Sequence, residues 1–375
     1  MARFGFLSTF PPTRCGIATF TDSLATAVHA ELHAETRIVR LLDADDAALT
    51  PPTSDERVVA ELTARDPSSL QRAVEALDAC DVAVVQHEYG IYGGRDGDEV
   101  IAVLGALRTP AIVVLHTVLR TPTTGQRAVL EEVCRLAAVV VVMTETARRL
   151  LEGYSVDRDK VQVIPHGVAP VASPAPVHDG RAHVLTWGLI GPGKGIEWGI
   201  RAMAQLGDLT PSPTYEVLGQ THPKVLAKDG ERYRESLQAL VDELDLTDRV
   251  TLDPHYLEPA QLAAAVAAAD VVLLPYDSRD QVTSGVLVEA IAARIPVVAT
   301  AFPHARELLD RGPGIVVSHE DPGAIARAVR AILTEKDLAR RMRRAAAVSA
   351  ADSSWSEVAR RYGRQASLLL EAVAA

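Results

Sequence analysis

Residues 270–300 read DVVLLPYDSRDQVTSGVLVEAIAARIPVVAT, and their reading decides the fold. DVVLLP (270–275) is a continuous apolar run, the mark of a parallel strand buried on both faces. Thr283, Ser284 and Gly285 then open an apolar helix, GVLVEAIAA, that carries a single carboxylate, Glu289. Pro296 stops the helix, and VVAT (297–300) begins a second strand. The unit is strand, helix, parallel strand.

The same alternation extends in both directions. Towards the amino end, ARFGFLST (2–9), TRIVRLL (36–42), DVAVVQHEYG (81–90), AIVVLHT (111–117), VVVVMT (139–144) and VQVIPHG (161–167) alternate with helical patterns. A Pro-, Ala- and Ser-rich stretch, VAPVASPAPVHDGRA (168–182), interrupts them. The pattern restarts at HVLTWGLI (183–190), runs on to IVVS (315–318), and ends in helices. An α/β fold of two doubly wound, Rossmann-like domains follows. Its expected parts are 1–167, a linker at 168–182, a second domain at 183–350 and a terminal helix at 351–375. A cleft between two such domains is the default ligand site.

Composition agrees. The 375 residues are 48% apolar but only 4% aromatic, so the core is Ala, Val, Leu and Ile, which suits layered α/β packing. A formal net charge of -11 excludes a general nucleic-acid binder, which needs a basic footprint. Cys15, Cys80 and Cys134 are odd in number and too far apart for a metal motif, as expected in a reducing cytoplasm. Neither a leader-like start nor an apolar run of about eighteen residues is visible. A cytoplasmic protein is expected. The arginines of RRMRR (340–344) read as a solvated helix face before a membrane contact.

Ligands of doubly wound sheets sit at the carboxyl ends of the strands. There, GLIGPGKGIEWGI (188–200) forms a glycine-rich turn into a helix, with Gly191, Gly193 and Lys194 placed to meet an anion. It is neither a Walker A loop nor GxGxxG, and a plain strand-to-helix turn would look similar. The amides opening the helix at Thr283, Ser284 and Gly285 form a second anion site, favoured by the helix dipole. Glu289 lies roughly 7 to 9 Å deeper. Helical side chains lean back towards the amino end, so its carboxylate would meet a ribose attached to a diphosphate held there. The alternative is a Glu paired with a nearby arginine. His87 and His116 end apolar strands on the same edge, and His222 follows TYEVLG; each suits a site role or a satisfied structural one. HExxH and close His–Cys pairs are missing, so no metal site is expected.

Segment 270–300 resembles the signature of retaining GT-B glycosyltransferases of the family-4 kind. In that family a second Glu, matched by Glu289, holds the donor's ribose. The first acidic position, near the transferred sugar, is Gln281 here. Thr283, Ser284 and Gly285 match the segment whose amides hold the diphosphate, and Lys194 matches the diphosphate lysine. The arginine that usually precedes that lysine is missing, with Leu189 or Gly191 in its place. Cys15-Gly16 stands where the family often has Gly-Gly, and His116 is similar to the histidine that faces the sugar. SSWSEVARRY (353–362) looks like the helix crossing back to the first domain.

The resemblance implies transfer of a sugar from a nucleotide diphosphate sugar, a UDP- or GDP-sugar, to a carbohydrate or small-molecule acceptor. Configuration would be retained, with no metal and no cofactor beyond the donor. His116, Lys194, Gln281 and Glu289 would serve catalysis. Gly16, Gly191, Gly193, His222 and residues 283–285 would bind the donor, with His87, Gly93 and Gly94 on the acceptor side. A nucleotide-sugar epimerase, or a binding protein without transfer activity, remains the rival reading.

Overall fold

Every strand of the computed structural model, which describes residues 2–42, 52–169 and 180–374, runs parallel to its neighbours. Parallel pairing requires a crossover between strands, and the helical patterns between the apolar runs supply it. The chain divides into two compact units, residues 1–167 with 352–375, and residues 168–351.

The first unit holds a seven-stranded sheet. Its strands are β1 (Arg3–Ser8), β2 (Glu35–Leu42), β3 (Val58–Thr63), β4 (Val82–His87), β5 (Ala111–Leu115), β6 (Val139–Val142) and β7 (Val161–Val163). They run in the order β3-β2-β1-β4-β5-β6-β7, which reverses between β1 and β4. The second unit holds β8 (His183–Trp187), β9 (Thr214–Leu218), β10 (Val250–Asp253), β11 (Val271–Leu274), β12 (Val297–Thr300) and β13 (Gly314–Val317). Their order is β10-β9-β8-β11-β12-β13, reversing between β8 and β11. Each reversal opens a crevice at the carboxyl ends of the central strands. These are the two doubly wound sheets that the apolar runs predict.

The terminal helix, Trp355–Ala374, belongs to the first unit. It packs along the helix Gly16–Leu32, and Val358, Ala359 and Tyr362 join Phe4, Phe6, Phe20 and Leu24 in one buried cluster. Gly167 lies against Trp355 so closely that a Cβ there would sit 2.1 Å from the indole ring.

Two elements escaped the sequence reading. β3 is an edge strand with only Leu62 fully buried and Glu61 in its middle, so it lacks the continuous apolar run of a central strand. The helix Glu99–Ala106 is short, and the glycine-rich segment before it hides its start. Most of the expected linker, 170–179, lies outside the described residues. Among the described residues no helix is long and apolar enough to cross a membrane.

Candidate functional site

At the reversal point of the second sheet, the chain leaves β8 through the glycine-rich turn and enters the helix Ile196–Ala204. Gly195 takes φ +60°, and a Cβ there would lie 2.0 Å from the Pro275 carbonyl oxygen, so only glycine lets this turn press against the end of β11. The Asp277 amide donates to the Gly193 carbonyl at 3.0 Å, and the Trp198 indole donates to Asp277 Oδ1 at 2.9 Å. These bonds join the turn to the segment after β11.

The result is a fixed position for Lys194. Its Nζ stands 4.5 Å from the centroid of the Tyr276 ring. Burial lowers its pKa, and among the described residues no carboxylate pairs with it. Tyr276, itself 1% exposed, stacks on Phe302 with centroids 5.4 Å apart. The carbonyl of Tyr276 accepts bonds from Thr300 Oγ1 and from His319 Nδ1.

The helix Gly285–Ala292 begins next to this pair. Ser284 is its cap, and the hydroxyl accepts the Leu287 amide at 3.3 Å. The Ser284 amide is not open to an anion, as the sequence reading had it: it donates to Nδ1 of buried His304 at 2.8 Å. The amides of Gly285 and Val286 carry no hydrogen bond within the described residues. The Thr283 hydroxyl is buried there without a hydrogen-bond partner among the described residues. Gln281 shapes the approach to the helix. Its side-chain amide donates to the Thr283 carbonyl at 3.1 Å, and its own carbonyl accepts the His304 amide at 3.2 Å.

Glu289 receives the indole N–H of Trp187, the last residue of β8, at 3.2 Å. Within the described residues it does not pair with an arginine. Burial raises its pKa, and the indole bond acts the other way. Burial and then the Glu289 charge push the Tyr276 phenol up, and its hydroxyl has no hydrogen-bond partner within the described residues. Tyr276 thus neighbours Lys194 through its ring face and feels the charge of Glu289.

His222 joins the same group. It caps the helix Pro223–Asp229 by accepting the Lys224 amide on Nδ1 at 3.2 Å, and its own amide donates to the Ile190 carbonyl at 2.8 Å. Burial, then the charges of Lys224 and Lys194, lower its pKa. Gly191 packs beside it, 3.2 Å from Val225 Cγ2 as measured from an added Cβ.

A second constellation lies at the strand ends of the first unit. His116, just past β5, bonds through Nε2 to Gln86 Oε1 at 2.7 Å, which places the proton on Nε2. Its ring meets Phe20 edge-on at 5.0 Å, as does that of His166, and Nδ1 of His166 donates to the Gly167 carbonyl. Burial is the largest influence on all three histidines here, lowering His116 to about 3, His87 to about 4 and His166 to about 4.

His87 is 0% exposed, its ring set edge-on to Tyr89, with neither nitrogen bonded within the described residues. Gly93 and Gly94 serve the turn into Glu99–Ala106. Gly93 accepts the Glu99 amide, and Gly94 takes φ +82°. Gly16 is the first residue of the helix Gly16–Leu32 and is exposed, with open space where a Cβ would go. The thiol of Cys15 caps that helix by accepting the Ala18 amide.

Four residues absent from the sequence reading occupy these sites: Trp187, Tyr276, His304 and Glu88. Glu88 follows β4 and accepts the Thr117 hydroxyl at 2.5 Å and the Tyr89 amide at 3.0 Å; burial raises its pKa. Trp187 ends a strand, Glu88 directly follows one and Tyr276 stands two residues past one, so the carboxyl-end rule contained a signal for these three; His304 sits inside the helix Pro303–Leu309 and had none.

Comparison with known proteins agrees with this geometry. The family model described as Glycosyltransferase Family 4 matches residues 15–171, and that described as Glycosyl transferases group 1 matches residues 174–348. The chain is 29% identical over 246 residues to a D-inositol 3-phosphate glycosyltransferase of Nocardia farcinica, covering 63% of this chain and 52% of the relative. It is 31% identical over 284 residues to the Streptomyces avermitilis protein of the same name, covering 67% and 58%. The matched stretch thus spans little more than half the length of these relatives. Among solved structures, Anabaena Alr3699/HepE in complex with UDP and glucose superposes with a TM-score of 0.76 at 17% identity, covering 98% of this chain and 100% of that one. Sucrose-phosphate synthase from Thermosynechococcus elongatus gives 0.77 at 19% identity, covering 99% and 100%. At such identities these structures speak for the fold. Taken with the two family models, which meet across the two doubly wound units, they place the chain among the GT-B glycosyltransferases of the family-4 kind.

Proposed function

We propose that the protein transfers a sugar from a nucleotide diphosphate sugar, a UDP- or GDP-sugar, to an acceptor hydroxyl with retention of anomeric configuration. The observation that carries this reading is the group at the second sheet's reversal point. A partly buried ammonium without a carboxylate partner stands near a helix start whose Gly285 and Val286 amides are unbonded. Such a pair of features suits a diphosphate. Departure of the donor's leaving group builds negative charge on that diphosphate, and Lys194 with the two amides would stabilise it as it grows. Glu289 would accept hydrogen bonds from the ribose hydroxyls.

His116, neutral and holding its proton on Nε2 with Nδ1 left as an acceptor, would take the role of the family's sugar-contacting histidine. Gln281 stands at the position where the family carries an acid. No carboxylate of the donor group is free to act as a nucleophile, because Glu289 is taken by the ribose in this scheme. A front-face departure, in which the leaving phosphate takes the acceptor's proton, then accounts for retention. The acceptor is a carbohydrate or small molecule, and the donor is a co-substrate with no further cofactor or metal.

The test is titration calorimetry with UDP, GDP and ADP, followed by turnover with the matching sugar conjugates. Release of nucleoside diphosphate that depends on added acceptor, is unaffected by EDTA, and gives a product anomer matching the donor's by NMR supports the reading. Donor interconversion without an acceptor, or binding without turnover, would replace it with an epimerase or a binding protein.

A further inference from the structure

Lys194 poses a physical problem. A buried ammonium is costly, and the usual remedy is a carboxylate. A carboxylate would also cancel the charge that a diphosphate needs and would have to be displaced when the donor arrives. The structure offers another remedy, the face of an aromatic ring 4.5 Å away. A ring quadrupole attracts a cation without neutralising it, and it covers one side of the ammonium only.

We propose that Tyr276 is the positioning residue for Lys194: its ring face holds the ammonium over the helix opening with the positive charge intact. This rests on the reading of Lys194 as the diphosphate cation. Lysine has a long, freely rotating stem, so an unheld Lys194 would lose much of its affinity to ordering. The ring is itself immobilised. It is buried, stacked on Phe302, and its carbonyl is held by Thr300 and His319. The backbone on both sides of the lysine is fixed, where Gly195 presses on Pro275 and Gly193 accepts the Asp277 amide. Lys194 follows β8 and Tyr276 follows β11, the two neighbouring strands at the reversal of the sheet. The phenol end of the ring lies near Ser284 and Glu289, so one side chain ties the lysine to the helix that would share its ligand.

The experiment measures affinity for whichever of UDP, GDP and ADP binds the unaltered chain most tightly. Tyr276→Phe keeps the ring face and should stay within about 3-fold of the original. A series of increasingly fluorinated phenylalanines at position 276 drains the ring's negative face at nearly constant shape, and affinity should fall step by step. Tyr276→Leu removes the face, with an expected loss of about 3- to 30-fold. It should also move the alkaline limb of binding to lower pH, because the charged lysine has lost its support. The fluorinated series decides the matter even where Tyr276→Leu folds poorly. An affinity flat across that series, or a Tyr276→Phe loss as large as that of Tyr276→Leu, overturns the proposal. Lys194→Met separates the two layers: unchanged affinity there removes the diphosphate reading itself, whereas a loss there beside a flat series removes only the role of Tyr276.

Discussion

The amide hydrogen of Ser284 is directed at Nδ1 of His304, 2.8 Å away, so that a histidine outside every recognisable motif closes the loop in front of the helix Gly285–Ala292. Both residues are buried, which makes the bond expensive to lose. His304→Phe keeps the bulk and removes the acceptor. It should cost about 1–3 kcal/mol, the usual penalty for a buried donor without a partner, and weaken nucleotide binding alongside. His304→Asn places an oxygen near the lost Nδ1 and should recover part of both. Urea unfolding and calorimetry on the two variants check this; equal losses in both would mean that the bond does not matter.

Trp187 and Glu289 make the second test. The indole N–H is the carboxylate's one hydrogen bond within the described residues and favours its ionised form against the opposing effect of burial. Trp187→Phe should raise the Glu289 pKa further, so that nucleoside diphosphate affinity begins to fall at a higher pH on the acid side. Glu289→Gln should remove that pH dependence while lowering affinity at neutral pH by about 10-fold, the loss of one charged hydrogen bond. An acid limb that survives in Glu289→Gln belongs to another group.

Restoring the family's acid is expected to fail. Gln281 uses its side-chain N–H to hold the Thr283 carbonyl at 3.1 Å. Gln281→Glu replaces that donor with a second acceptor, so the loop loses a bond and gains a repulsion. Donor binding should weaken and the melting temperature should fall. Faster turnover in Gln281→Glu would show that the carboxylate is tolerated and useful.

The first unit should be labile to acid. His87, His116 and His166 are lowered to about 4, 3 and 4 in the folded chain, against about 6.5 for a free histidine. Between those values the unfolded chain binds the protons that the folded chain refuses. The stability they contribute is therefore present above about 6.5 and is lost as the pH falls towards 4. A single proton gives about 1.4 kcal/mol per pH unit, and three acting together would make the decline steep. Glu88, raised by burial, opposes this in the same range, since its folded form gains stability as it protonates. Denaturant midpoints between pH 7 and 5 measure the balance, and His87→Phe should flatten the slope.

Much of this was legible in the residues. Both sheets announce themselves because central parallel strands must be continuously apolar, as VAVV within β4 and VVLL in β11 are. The glycine turn, Lys194 and Glu289 could be located because anion chemistry has a recognisable spacing. β3 could not, since an edge strand needs only one buried side and tolerates Glu61. Nor could the enclosure of His87 or the pairing of Ser284 with His304. A histidine at a strand end looks the same whether it faces ligand or core, and partners twenty residues apart meet only once two helices have been placed.

The path of the chain carries a cost in time. Val358, Ala359 and Tyr362 complete the cluster around Phe20 and Leu24, though nearly two hundred residues of the second unit intervene. During synthesis the first sheet must wait on the ribosome with that flank uncovered while the whole second unit emerges. Newly made chains should therefore hold on to chaperones until the helix Trp355–Ala374 arrives, and a nascent chain stalled at residue 350 should cross-link to them.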